Sequence, residues 1–294
     1  NQMYVQTDTG TFTLGNTANA ASILVPRVGA MVPGGGHDAG YQFIFDNGML
    51  ATIGVPLAEA YYAMSAGSIT VQLPSINGFS VAGTYTPSLE FNSADGIGRQ
   101  QAADQGTELA AHGESTHLAV SYSGDTDGIT YTIGVASING NSQSTGCRDA
   151  NTCDNNDLAS MTGAIRIGLG NLSLGAHVYD NGDSFGSAGD AVKAKSSGYT
   201  VATEYVIGNI TVGIGYAHQE RVRGTRAQAR ATTLTSADAG NVREDSLTYV
   251  GMGYNLGGGV NTYIQLTNLD HSDGDHATTE VDPQVLFAGI SLGF

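Results

Sequence analysis

From Gly67 onward the chain repeats one unit. Segments that alternate apolar with polar or small residues come in pairs, and each pair closes on a tight turn rich in Gly and Asn. Gly67 to Leu73 and Phe79 to Thr86 flank Pro74-Ser75-Ile76-Asn77-Gly78, and Thr116 to Ser123 and Ile129 to Ile138 flank Gly124 to Gly128. Ala159 to Leu169 and Leu172 to Tyr179 meet at Gly170-Asn171, Tyr199 to Ile207 and Ile210 to Val222 at Gly208-Asn209, and Leu247 to Leu256 and Val260 to Leu269 at Gly257-Gly258-Gly259. Alternation with period two specifies strands, and Gly and Asn supply the positive φ that short hairpins require. Between the pairs lie long polar segments: 87–115, 139–157, 181–197, 223–246 and 270–284. Short and long connections therefore alternate strictly. The chain folds as an antiparallel sheet with all its tight turns at one end and all its long loops at the other.

The two faces of these strands are inverted relative to a soluble core. Leu118, Val120 and Tyr122, Ile165 and Ile167, Val212 and Ile214, and Val250 and Met252 share one face; Thr130, Thr132, Thr162, Thr200, Thr211, Asn261, Gln265 and Thr267 share the other. The closing segment 285–294 places Leu286, Ala288, Ile290, Leu292 and the terminal Phe294 on one side. A strand ending on an aromatic at its carboxylate, with an apolar outside and a polar inside, suits a transmembrane barrel. Phe79, Tyr85, Tyr199, Tyr205, Tyr254 and Phe294 fall near strand ends, where amphipathic rings form interfacial girdles. A half-buried soluble sheet gives the same alternation, but not the asymmetry of turns. A propeller would repeat loops of even length with a Trp-Asp signature, and the chain holds no Trp.

Charge narrows the function. Lys and Arg number 11 against 27 Asp and Glu, a formal net charge of −16, which excludes nucleic-acid binding because phosphate recognition needs clustered cations. Cation accumulation is compatible with it, including divalent ions that bridge protein to anionic lipid headgroups. Charged residues make up 13% of the 294, too few for a disordered polymer, and the apolar runs are too short for helical spans.

The N-terminal region breaks the rhythm. Gln2 to Thr7 and Thr11 to Gly15 form a hairpin around Asp8-Thr9-Gly10, and about 16–66 then hold no strand pair. A loop of that length inside a compact domain is either a functional segment or counts against the assignment. The run Gly10-Thr11-Phe12-Thr13-Leu14-Gly15, the long loop, then Ile69 to Tyr85 with Pro74, Gly78-Phe79-Ser80-Val81 and Tyr85-Thr86-Pro87, and finally Phe294, resemble the general porins of Gram-negative outer membranes. The resemblance spans 1–294 as a single all-β domain. It implies a transmembrane antiparallel barrel of about 16 strands, a homotrimer in contact with outer-membrane lipid and lipopolysaccharide, and a third external loop folded inward as a constriction. Counting back from Phe294 makes 16–66 that loop and gives about 13 strands, so the expectation is that N-terminal strands lie outside this sequence; a complete barrel of about 12 strands from Thr11 is the rival.

In that family acidic groups on the inward loop face basic groups on the wall. Asp38, Asp46 and Glu59 are the acidic candidates, Arg166, Arg221 and Arg223 the basic ones, and His177 and Glu204 further lumen groups. Val32-Pro33-Gly34-Gly35-Gly36 departs from the usual Pro-Glu-Phe-Gly-Gly loop, and the wall is poor in Arg. The expected function is a water-filled, weakly cation-selective channel for small hydrophilic solutes and ions, without a catalytic step. A substrate-specific channel is the alternative, and its aromatic ladder would rest on Tyr179 and Tyr263. An outer-membrane barrel enzyme or a structural barrel stands behind it.

Remaining motifs carry less. Cys147 and Cys153, in Cys-Arg-Asp-Ala-Asn-Thr-Cys, read as a short loop disulfide of an oxidising compartment or as two surface thiols. Asp270, Asp273 and Asp275 have the oxygen-rich composition of a calcium site without the full loop spacing; no other cofactor is expected. Gly289-Ile290-Ser291-Leu292-Gly293 matches a nucleophile elbow in pattern, but lies within a strand. Asn171-Leu172-Ser173 and Asn209-Ile210-Thr211 are glycosylation acceptors in pattern only, set at tight turns. A barrel enzyme needs a Ser-His-Asp set or an acidic dyad at a rim, and the seven His show no such spacing in sequence.

Overall fold

The computed structural model describes residues 2–35, 67–88, 112–142, 156–184, 195–222, 242–273 and 284–293. They form one sheet of 13 strands in which each strand pairs antiparallel with the next in sequence. The first hairpin is β1 (Gln2–Thr7) and β2 (Gly10–Asn16). After it come β3 (Gly67–Gln72), β4 (Phe79–Ser88), β5 (His112–Thr126), β6 (Ile129–Ser142), β7 (Leu158–Leu169), β8 (Leu172–Asp180) and β9 (Lys195–Ile207). The last four are β10 (Ile210–Val222), β11 (Val242–Gly257), β12 (Val260–Asp273) and β13 (Gln284–Leu292). Strands β1 and β13 are the edges of this sheet.

The tight turns follow from their residues. Asn77 and Gly78 take φ of 52° and 86°, and Asp127 and Gly128 take 53° and 79°, the paired left-handed conformation whose twist matches a hairpin. The strands outrun the alternation that marks them: β5 starts at His112 rather than Thr116, β11 at Val242 rather than Leu247, and β12 continues to Asp273 rather than Leu269. Past the apolar band both faces are polar, so the sequence signal disappears while the hydrogen-bonded ladder continues.

The outer face is apolar and exposed, as in Leu118, Val135, Met161, Val178, Val212, Ile214, Val250, Met252, Ile264, Leu286 and Ile290. Aromatic rings bound this band at both ends. Phe79, Tyr122 and Tyr131 form a cluster near the tight turns, with centroids 4.5 and 5.8 Å apart, and Tyr199 and Tyr216 lie 6.0 Å apart toward the long loops. Tyr199 and Tyr205 on β9 both face outward, about 20 Å apart along the strand at the usual rise per residue. Phe294 lies outside the described residues.

Candidate pore constriction

The described part of the long loop folds against the inner face of the sheet. Asn19 caps the five-residue helix α1 (Ala20–Leu24), its Oδ1 accepting from Ser22 N at 2.9 Å. The helix is pinned to the wall through Thr84, whose Oγ1 accepts from Ala20 N at 2.8 Å and lies 2.9 Å from Thr70 Oγ1; Thr70 in turn donates to the Ala18 carbonyl at 3.2 Å. These threonines face inward on β3 and β4, where the pore side must be polar. The chain then passes through a 3-10 turn (Gly29–Met31), and Ala20, Ala21, Val28 and Val32 are fully buried.

The segment lies in a trough of residues without side chains. A Cβ on Gly134 of β6 would overlap the Leu24 carbonyl, one on Gly251 of β11 the Pro33 carbonyl, and one on Gly175 of β8 would stand 2.5 Å from Met31 Sδ. On Gly213 of β10 it would stand 3.1 Å from Val32 Cα. The ladder lines these positions up across the wall: Gly134 opposes Ala164, Gly175 opposes Ala202, Ala202 opposes Gly215, and Gly213 opposes Gly251. Each is an inward position that a bulkier residue would fill. Glycine in a strand costs conformational entropy, and close backbone approach is the compensating reason for it here.

The trough divides the inner wall. Toward the long loops Ile138, Leu158, His177, Gln219, Leu247 and Tyr249 are fully buried, and their polar atoms join wall networks: Thr162 Oγ1 to His177 Nε2 at 2.7 Å, Ser160 Oγ to Asn181 Oδ1 at 2.6 Å, and Tyr179 OH to Gln219 Oε1 at 3.1 Å. His177, expected as a lumen group, faces inward but is covered. On the tight-turn side Arg166 of β7 and Glu204 of β9 form an ion pair across β8, with their side chains 48% and 15% exposed. A recess of about 320 Å³ opens beside them, lined by Met31, Pro33, Glu204, Thr211, Asn261 and Tyr263.

Arg166 and Glu204, proposed separately from sequence, are therefore partners. Arg221 and Asp273 belong to β10 and β12, but their side chains lie outside the described set; Asp38, Asp46, Glu59, Arg223, Cys147, Cys153 and Asp275 lie outside the described residues altogether. Asp270 is an exposed residue of β12, not of a loop, and among the described residues no three His, Cys, Asp or Glu side chains gather as a metal site. Sequence reasoning missed the trough, although glycines at inward positions of otherwise regular strands were its signal.

Residues 1–274 match the family described as Gram-negative porin. No curated protein matched the chain. Among solved structures, the chain is similar to a porin refined at 1.8 Å (15% identity, TM-score 0.54, covering 100% of this chain and 80% of that one). It is similar as well to a loop L8 deletion mutant of OmpT, an outer membrane protein of Vibrio cholerae (12%, 0.52, 99% and 78%). A third is an anion-selective porin from Comamonas acidovorans (13%, 0.52, 99% and 75%). At these identities the structures speak for the fold alone. With strands that carry an apolar outer face, a polar inner face and a loop segment laid across the interior, the chain belongs to the Gram-negative porins, the outer-membrane β-barrels that form transport channels.

Proposed function

We propose that the chain forms a general diffusion channel for small hydrophilic solutes, with a weak preference for cations. The observation that supports this reading is the Arg166–Glu204 pair. The described basic side chain beside the open recess is neutralised by a neighbouring carboxylate, and the chain as a whole carries −16. A narrow aqueous passage with that balance concentrates cations. Reversal potentials across a planar bilayer in a KCl gradient test it: the sign for cation preference is expected, and a clear anion preference overturns it. Asp38, Asp46 and Glu59 are proposed as acidic groups of the constriction, and Arg221 and Arg223 as basic groups of its wall.

The same proposal takes the molecule as a homotrimer in which both edges of the 13-stranded sheet are paired, because unpaired backbone groups in hydrocarbon cost several kcal/mol each. Crosslinking of the membrane-embedded protein is expected to give three subunits. A calcium ion near Asp270, Asp273 and Asp275 is a separate element of the proposal, and isothermal titration of Ca²⁺ into the folded protein with and without Asp270→Asn tests it. Loss of binding in the variant is the expected result.

A further inference from the structure

The apolar outer wall carries one polar row at its long-loop end. Tyr199 of β9 stands opposite His218 of β10, His218 opposite Ser246 of β11, and Ser246 opposite Asp270 of β12. All face outward: Val201, Ile214, Val250 and Leu266, at even spacing along the same strands, are exposed, whereas the intervening Thr200, Ala217 and Leu247 are buried on the inner side. Within the row His218 Nδ1 lies 3.0 Å from Ser246 Oγ, and the Tyr216 hydroxyl lies 2.9 Å from the same oxygen. His218 Nε2 is 3.6 Å from Glu220 Oε1, and the Tyr199 ring sits 5.4 Å from the imidazole. The imidazole side chain is 16% exposed and the carboxylate 55%. Sequence spacing hid this set because the strand ladder, rather than a local motif, brings His218 and Ser246 together.

We propose that Ser246, His218 and Glu220 form a serine esterase site on the lipid-facing wall, acting on carboxylic acyl esters of outer-leaflet lipid. A hydroxyl, an imidazole and a carboxylate in series are recognised by geometry and role, whatever fold carries them. Tyr199 and Tyr216 belong to the aromatic girdle, which fixes the row at the boundary between headgroups and acyl chains, the depth at which lipid ester carbonyls lie. His218 Nδ1 takes the Ser246 proton as Oγ attacks the carbonyl carbon. The Tyr216 O–H donates to the oxyanion of the tetrahedral intermediate. Collapse breaks the bond to the alcohol oxygen, which leaves with the proton held by His218. A water then gives its proton to the imidazole and attacks the acyl-serine carbonyl; the second tetrahedral intermediate breaks its bond to Oγ, His218 returns the proton to Oγ, and the fatty acid leaves with Ser246 restored. Glu220 is a positioning residue whose carboxylate stands 3.6 Å from Nε2 and attracts that side of the ring. Glu244 stands directly opposite Glu220, and Asp270 directly opposite Ser246.

This activity goes beyond the channel and fails independently of it. The folded protein, in detergent micelles, is treated with a fluorophosphonate probe, and the adduct is located by peptide mass spectrometry. A single adduct on Ser246 is expected, absent in Ser246→Ala and formed about 100-fold or more slowly in His218→Asn. Glu220→Gln is expected to slow it less, and Glu220→Asp to recover part of the rate. Bilayer conductance, which none of these outward residues touches, reports that each variant is folded. Fatty-acid release is then measured from micelles of diacyl glycerophospholipid and, separately, from lipopolysaccharide vesicles; release from one or both that depends on Ser246 supports the proposal and identifies the ester. No adduct on Ser246 in conducting wild-type protein, or release from neither lipid, overturns it.

Discussion

At the residue scale, the constriction depends on hydrogen atoms standing where side chains would be. Gly251→Ala drives a methyl into the Pro33 carbonyl, a backbone atom that cannot rotate away, whereas Gly175→Ala meets first the end of the flexible Met31 side chain. Gly251→Ala is therefore expected to destabilise by about 1–3 kcal/mol, as overpacking does, and to raise single-channel conductance by displacing the loop; Gly175→Ala is expected to do less of both. Denaturant unfolding in detergent and bilayer recording read the two effects separately. Charge acts differently. Glu204→Gln leaves Arg166 unpaired beside the recess and is expected to move the reversal potential toward anions, while Arg166→Gln moves it toward cations. Neither is expected to change stability by more than about 1 kcal/mol, since the pair is partly exposed. Of these groups Arg166 and Glu204 were legible in the sequence because their inward parity follows from strand alternation. The pairing was not, since it joins side chains on β7 and β9 across a third strand.

At the scale of elements, α1 is too short to hold itself and lives on its cap and its anchor. Asn19→Ala removes the side-chain acceptor for Ser22 N and is expected to cost about 1 kcal/mol. Thr84→Val removes the acceptor for Ala20 N and the contact with Thr70 together, and is expected to cost more because the amide is buried. Limited proteolysis at Arg27 is the direct readout: faster cleavage is expected in both variants, fastest in Thr84→Val. The sequence made the strands plain, because period two persists wherever one face meets lipid. It concealed their ends, as at β5, β11 and β12, where both faces turn polar, and it left 16–66 as a loop without hint of a helix, since Ala20 to Leu24 is a single turn whose partners lie far along the chain.

At the scale of the whole molecule, the wall is an inside-out sheet whose outer face is held by lipid. A charge placed in the middle of the apolar band, as in Ile214→Arg, is expected to cost about 2–4 kcal/mol in reversible unfolding from lipid vesicles, whereas Thr211→Arg, on the inner face near the tight turns, is expected to cost far less. The comparison reads orientation from energetics. The trough has one more consequence, for the order of assembly. The segment that narrows the passage precedes β3 in the chain, yet it rests on glycines of β6, β8, β10 and β11, so its docking must wait until strands far along the chain have paired. Closing such distant contacts is slow. A sheet still assembling therefore holds a wide, unobstructed interior until β6, β8, β10 and β11 are all in place, and the aperture that sets permeability is among the last things the molecule acquires.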